Sequence, residues 1–534
     1  MLLLLAVLQI WVADESEKVR PDARPPAVGH APRIALAAAG GECVGAQLVV
    51  RGPVAGLSAS SRGKPKLDLY RVETIALEHP SGPEGKTGEW PDALIPARDA
   101  LYGEERRAFP VDVPEGRAQS LFVEACLPRG IGPARLSGAV RLWWRGGKLE
   151  VPVEVRARAF DLPATPALAT AFGFSGYSAA KGHRRGPEAS RELTRAYDLM
   201  ALRRGITLFG GTQDPPAFEK DGDQVRIDWS AYDAEVGPFL DGTALPDGAR
   251  WTAVELREPG NLSRAQRRSW RQKWQEHFRE RGWLSRLFRY VEDEPSPDAF
   301  GRVEEKAREL REDAPEVRRL VTTSWSDQLP DVDLWTPVLN CLGGKNPTCP
   351  RAAPRSRYAT LWWYQSCMSH GCSNDGKPVL DAAFAGWPSY MIDAPATAAR
   401  AMGALAFAND IAGELYFDVV YAYDGGDPWK SQWAFGGNGD GTLYYPGTPE
   451  RIGGRHDVPV ESLRLVQIAR SLADHAYLSL CAQLGDLPLA RAEARAVAPS
   501  LRGFSRDPRA YAQMREHLAA RIETLLSTRK LGAR

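Results

Sequence analysis

Residues 288–298 read "FRYVEDEPSPD". The stretch begins as an apolar strand and ends in three consecutive acids, Glu292, Asp293 and Glu294, followed by Pro295. Like charges in a row repel one another at neutral pH, so the cluster either lies in open water or is held together for a purpose. What surrounds it decides the fold. Apolar strands alternate here with amphipathic helices, the rhythm of βα units. "ALATAFGF", "ITLFGG" and "RWTAVEL" precede "LSRLFRYVEDEP". "RLVTTS", "VDLWTPV", "RYATLWWYQS" and "GELYFDVVYAY" follow it. These make eight strands, the number a (β/α)8 barrel of the TIM type requires. Between them run helical stretches such as "SRAQRRSWRQKWQEHFRERG", for which Ser263 is a good N-cap.

Upstream of residue 160 the texture differs. Short alternating runs, among them "AQLVVRG", "QSLFVEACLP" and "GAVRLWWRGGKLEVPVEVRARAF", lie between Gly/Pro turns. This is the pattern of an antiparallel β-sandwich. The expected architecture is multidomain: a sandwich over 16–160, a barrel over 161–485 and a C-terminal helical extension over 486–534. Residues 2–12 form an apolar run too short to span a bilayer, and it reads as the core of a signal peptide over 1–15, with a cut after Ala13. A misassigned start is the alternative, because no basic segment precedes the run. The reading predicts an exported chain, periplasmic or extracellular, with no transmembrane segment once mature.

Of 534 residues, 43% are apolar and 25% charged, the balance of a soluble globular protein, and the net charge is +1. That charge gives no reason to expect nucleic acid or an anionic membrane as partner. The 16 tryptophans gather in the second half, where core packing explains them as well as sugar stacking does. Seven cysteines are present. "SCMSHGC" predicts a Cys367–Cys372 disulfide in an exported chain, and Cys341 and Cys349 flank a turn-rich stretch that suits a second. Cys367, His370 and Cys372 also suggest a metal, but no second Cys/His pair stands at zinc spacing, so no metal or cofactor is expected.

Active sites of such barrels form at the C-terminal ends of the strands. Asp293 and Glu294 end the fourth. Pro295 cannot continue the ladder, and it is expected to hold Glu294 extended so that both carboxyls reach the barrel mouth. Paired acids suit glycoside hydrolysis, in which one carboxylic acid must protonate the leaving oxygen. Neighbouring residues cannot easily take opposite sides of a sugar ring, as two-carboxylate mechanisms require. They can act from one side if a 2-acetamido sugar supplies its own acetamido oxygen as nucleophile. The plain alternative is a solvated acidic helix start, with Ser296 or Asp298 as cap.

"YVEDEP", "LWWYQSC", "GELYFDVVYAYDGGDPW", "GDGTLYYPG" and "VESLRLVQIARSLADHAYL" stand in that order. In this the chain resembles glycoside hydrolase family 123 and the related DUF4091 group, over roughly residues 165–485. The resemblance implies a sandwich and a (β/α)8 barrel. It also implies a retaining exo-β-N-acetylhexosaminidase of the N-acetylgalactosamine type, with Glu294 as general acid/base and Asp293 supporting the acetamido group. A glycan or glycoconjugate would be the substrate. The sequence departs from the family at Ala469, Ser471, His475 and Ala476 of the late helix, and Phe417 stands where Trp is usual. Strand-end positions add substrate-binding candidates: Trp363 and Tyr364 on the seventh strand, Tyr416 and Asp418 on the eighth, and Trp429, Asp440 and Tyr445 in the loops beyond it. Arg464 is read as an ion-pair partner for that loop. Two alternatives stay open: a glycosidase using a remote nucleophile such as Asp418 or Asp440, and a carbohydrate-binding protein without turnover.

Overall fold

The computed structural model describes residues 8–27, 31–210, 215–342, 347–349 and 351–532. Two five-stranded sheets form the N-terminal domain. The first runs, in spatial order, Gln9–Asp14, Cys43–Arg51, Ala118–Cys126, Leu67–Leu77, Gly88–Pro96, and is antiparallel throughout. The second runs Ile34–Gly40, Gly147–Asp161, Ala134–Trp144, Val54–Gly63, Val111–Val113. It departs from the antiparallel expectation at one place, where Ile34–Gly40 pairs in parallel with Gly147–Asp161. The period-two pattern that marks a half-buried strand is plain in the longest one. Val151, Val153, Val155 and Ala157 enter the core while Pro152 and Arg156 face out. Leu48, Val50, Leu121 and Val123 meet them from the opposite sheet.

The described part of the apolar N-terminal stretch begins at residue 8. Gln9–Asp14 is an edge strand of the first sheet, and Glu15 and Ser16 are buried against the second domain. Ser16 Oγ donates to Gln467 Oε1 at 2.8 Å, and Arg470 Nε donates to Glu15 Oε2 at 2.8 Å. A short run of apolar residues looks the same whether it is the heart of a leader or a strand laid on a core. No described helix is long and apolar enough to cross a membrane.

Eight parallel strands form the second domain: β1 (Ala169–Gly173), β2 (Leu208–Phe209), β3 (Val254–Glu255), β4 (Leu287–Glu292), β5 (Arg318–Val321), β6 (Leu334–Trp335), β7 (Thr360–Gln365) and β8 (Gly413–Tyr416). They neighbour one another in chain order, and β8 returns to β1. Between β2 and β3 no ladder forms among the described residues, so the barrel is nearly closed. Threonines bridge that gap. Thr252 N donates to Thr207 Oγ1 at 2.9 Å, the two hydroxyls lie 3.0 Å apart, and Thr170 N donates to Thr252 Oγ1 at 2.9 Å. Ala171, Phe209, Ala253, Phe288, Leu320, Leu334, Trp362 and Leu415 form one interior cluster, so each strand or its flank contributes.

The helix Arg264–Glu280 opens on a capping box between Ser263 and Gln266. It buries Trp270, Trp274 and Phe278, spaced by four, with Trp251 and Trp283 beside them. Much of the tryptophan content is therefore core. The late helices Leu463–Gln483, Leu487–Val497 and Pro508–Gly532 pack together beside the sandwich. Arg204 bridges Glu124 and Glu461, Arg470 bridges Glu15 and Glu124, and Arg515 bridges Glu42 and Asp474. All these side chains are buried, and they join sandwich, barrel and C-terminal helices.

Three disulfides are present. Cys341–Cys349 and Cys367–Cys372 close short loops after β6 and β7, and Cys43–Cys126 joins neighbouring strands of the first sheet. The last pair lies 83 residues apart in sequence and has no local signature. Cys481 is free and buried. A metal on Cys367, His370 and Cys372 gives way, because the two sulfurs are bonded to each other.

Candidate active site

The site is built where β4 leaves the barrel. Alternation sends Phe288 and Tyr290 inward. The chain then breaks its extended course. Glu294 adopts φ +40°, a left-handed conformation rare outside glycine. This corrects the expectation that Pro295 would keep Glu294 extended. The turn achieves what an extended strand does not: it brings two consecutive carboxylates to one group of partners. Thr322, just beyond β5, links the Glu294 backbone to the Asp293 carboxylate. Its Oγ1 accepts from Glu294 N at 2.7 Å and donates to Asp293 Oδ1 at 2.9 Å. Tyr290 hydroxyl also donates to Asp293 Oδ1, at 2.6 Å. Tyr364, inward on β7, donates its hydroxyl to Glu294 Oε1.

The electrostatics follow from that placement. Burial, reinforced by Asp293, pushes the Tyr290 phenol far up. Burial, then Glu294, does the same to Tyr364. Both remain protonated donors at any working pH. Each carboxylate thus has one oxygen anchored by a phenol, and both side chains are exposed at the mouth. Beside Glu294 lies a cavity of about 220 Å3, lined by Pro295, Thr322, Thr323, Ser324, Val338, the Cys341–Cys349 disulfide, Arg351, Tyr364 and Met368. A larger cleft of about 410 Å3 lies outside the barrel, between the helices Arg264–Glu280 and Phe300–Asp313. Arg271 pairs there with Glu258, Arg289 with Glu255 and Lys306 with Glu292, so much of its charge is already matched.

The other sequence-derived candidates scatter. Trp363 points away from the interior, into the layer between barrel and helices, while Trp362 takes the inward place. Tyr416 also faces that layer; its hydroxyl donates to Asp440 Oδ1 at 3.3 Å and accepts from Gly441 N at 2.8 Å. Asp440 is fully buried, and burial pushes its carboxyl up to about 7. Trp429 and Tyr445 pack on each other at the junction with the sandwich, 4.8 Å between ring centroids, and Tyr445 hydroxyl donates to Asp92 Oδ2 at 2.8 Å. Arg464 ties Asp92 to the carbonyls of Gly439 and Thr442, so the glycine-rich loop is braced as the sequence suggests. Asp418 follows β8, accepts from Val420 N at 2.6 Å, and is pushed by burial up to about 7. Sequence reasoning missed Tyr290 and Thr322. The signal was available, since both lie at strand ends next to the acids.

No family model matches the sequence, and no curated protein does. Among solved structures the chain is similar to a family 123 glycoside hydrolase from Clostridium perfringens, determined in a study of glycolipid glycan hydrolysis. The TM-score is 0.64 at 12% identity, covering 98% of this chain and 99% of that one. A Bacteroides ovatus family 5 xyloglucanase bound to a heptasaccharide gives TM-score 0.29 at 9% identity, over 87% of this chain and 100% of that one. A Bacteroides uniformis β-glucuronidase gives TM-score 0.27 at 10% identity, over 88% and 51%. Scores this low add nothing to the comparison. At its level of identity the first likeness is one of fold, and this chain shares that fold from end to end.

Proposed function

We propose that this chain is a retaining glycoside hydrolase that removes terminal 2-acetamido sugars, of the N-acetylgalactosamine type, from a glycan, with the substrate's acetamido oxygen as nucleophile. The observation that carries the reading is the left-handed turn at Glu294, which leaves the Asp293 carboxylate held by Tyr290 and Thr322 and the Glu294 carboxylate held by Tyr364, both exposed at the end of one strand. Consecutive carboxylates at one strand end suit action from one side of a bound ring. Glu294 gives its proton to the glycosidic oxygen as the C1–O bond breaks and the acetamido oxygen bonds to C1. The resulting cyclic cation lies against Asp293. Water then attacks C1, Glu294 takes the proton from that water, and the ring reopens. The whole-length likeness to a family 123 enzyme supports the same reading.

Two observations weigh against a remote nucleophile. Asp440 is fully buried behind Tyr416, outside the barrel interior. Asp418 turns its carboxylate back on its own loop, where Oδ1 accepts from Val420 N at 2.6 Å. The three disulfides suit an oxidising, exported setting.

Leaving-group dependence tests the roles. Glu294→Gln should spare aryl substrates with acidic leaving groups and cripple those with poor ones, because proton donation matters most for the latter. Asp293→Asn should slow both alike, since it removes a charge that stabilises the cyclic cation. A thiazoline mimic of that ring should inhibit the wild type. Covalent labelling of another aspartate by a 2-fluoro sugar, or equally fast cleavage of sugars without the acetamido group, would sink the reading.

A further inference from the structure

Arg351 lines the cavity beside Glu294, yet its guanidinium makes no hydrogen bond or ion pair with any described residue. The next arginine along the chain is held differently. Arg355, four residues on, is taken up by the carbonyls of Asn409, Tyr358 and Asp410. The remaining polar lining of the cavity is hydroxyl: Thr322, Thr323, Ser324 and Thr348. Glu294 is the only carboxylate among its described lining residues. The wall carrying Arg351 is braced. The Cys341–Cys349 disulfide closes the loop two residues before it, and Asn340 Nδ2 donates to Met368 O at 2.6 Å, tying this loop to the one held by Cys367–Cys372. At about 220 Å3 the cavity is too small for an extended glycan. It lies below the roughly 300–1,000 Å3 typical of ligand pockets, so it suits one ring or one substituent.

A guanidinium fork on a braced wall, among hydroxyl donors, matches the oxygens of a carboxylate or a sulfate ester. We infer that Arg351 selects substrates carrying an anionic group, sulfate or carboxylate, within one sugar of the bond that is cleaved. The inference rests on the glycosidase reading above and adds a substrate class to it. Asp293 and Glu294 repel such a group, and Arg351 offsets them. Without Arg351 the preference should therefore not merely fade but reverse.

The test compares kcat/KM on four substrates. They are an aryl 2-acetamido-2-deoxygalactoside, its sulfate ester, and two disaccharides in which the same sugar is linked to a neutral hexose or to a uronic acid. The wild type should favour an anionic member over its neutral counterpart by about tenfold or more, the scale of a hydrogen bond to a charged group. Preference confined to the sulfated glycoside identifies sulfate; preference confined to the uronic acid identifies a carboxylate on the leaving sugar. Arg351→Ala should bring the ratio below one, and Arg351→Lys should keep part of it. A wild-type ratio at or below one, or a ratio that Arg351→Ala leaves unchanged, overturns the inference while the glycosidase reading stands. If none of the four is cleaved, that reading fails instead, and calorimetry on the same sugars decides for Arg351. About tenfold tighter binding of an anionic member, lost in Arg351→Ala, sustains it; equal binding ends it.

Discussion

Glu294 occupies a left-handed backbone conformation at φ +40°, which costs an L-residue on the order of 1–2 kcal/mol. The surroundings enforce it, because Glu294 N is bonded to Thr322 and Pro295 is buried behind. Glycine relaxes there and alanine does not. Glu294→Gly should therefore unfold at higher denaturant than Glu294→Ala, by about 1 kcal/mol. Equal stabilities would mean that the turn carries no strain. The hydroxyls around the acids can be tested in the same way. Tyr364→Phe removes the donor to Glu294 Oε1 and should lower kcat/KM about tenfold, the cost of a lost bond to a charged group. Thr322→Val strips a contact from both acids at once and should cost more, whereas Thr322→Ser should restore most of the loss.

At the scale of elements, two disulfide-closed loops wall the cavity. Replacing Cys341 and Cys349 by serine frees a short loop, and a bond of that kind contributes about 2–4 kcal/mol, much of it through the unfolded chain. The double variant should show a raised KM before it shows lost secondary structure, because Arg351 and Thr348 stand on that wall. The eight strands were legible from apolar runs between helices, and so was the position of Asp293 and Glu294 at the end of the fourth. Which residues of a strand face inward was not. Trp362 and Trp363 are both fully buried, one inside the barrel and one outside, and a strand buried on both faces has no polar alternation to separate them. Trp429, Asp440 and Tyr445 were read as pocket residues for their place after β8. Their loop folds back onto the sandwich, and no local pattern records a contact with residue 92.

For the whole molecule, the buried arginine–carboxylate network makes the domains one unit. Burial alone would raise the Glu124 carboxyl, but Arg204 and Arg470 outweigh it and hold it at about 2. A carboxyl depressed in the folded state stabilises the fold above its unfolded value, near 4.5, and that contribution drains away as pH falls toward 2. Acid titration followed by intrinsic fluorescence should show stability falling through that window. Arg204→Met leaves Glu124 and Glu461 buried without a shared cation and should cost about 3–5 kcal/mol in denaturant unfolding.

The threonine contacts between β2 and β3 have a mechanical consequence. A barrel laced by amide ladders all the way round resists expansion equally in every direction. Among the described residues the hoop is a split ring, with three hydroxyl-bearing residues as its clasp. Radial breathing should concentrate at that split, so amides near residues 207–210 and 252–256 should exchange with solvent sooner than those of β7 and β8, and Thr252→Val should widen the difference. Strand β4, which leads into Asp293 and Glu294, lies only one strand from the clasp, whereas β7, which brings Tyr364 to Glu294, lies on the continuous side of the ring. Opening at the split would thus move one half of the Glu294–Tyr364 pair relative to the other.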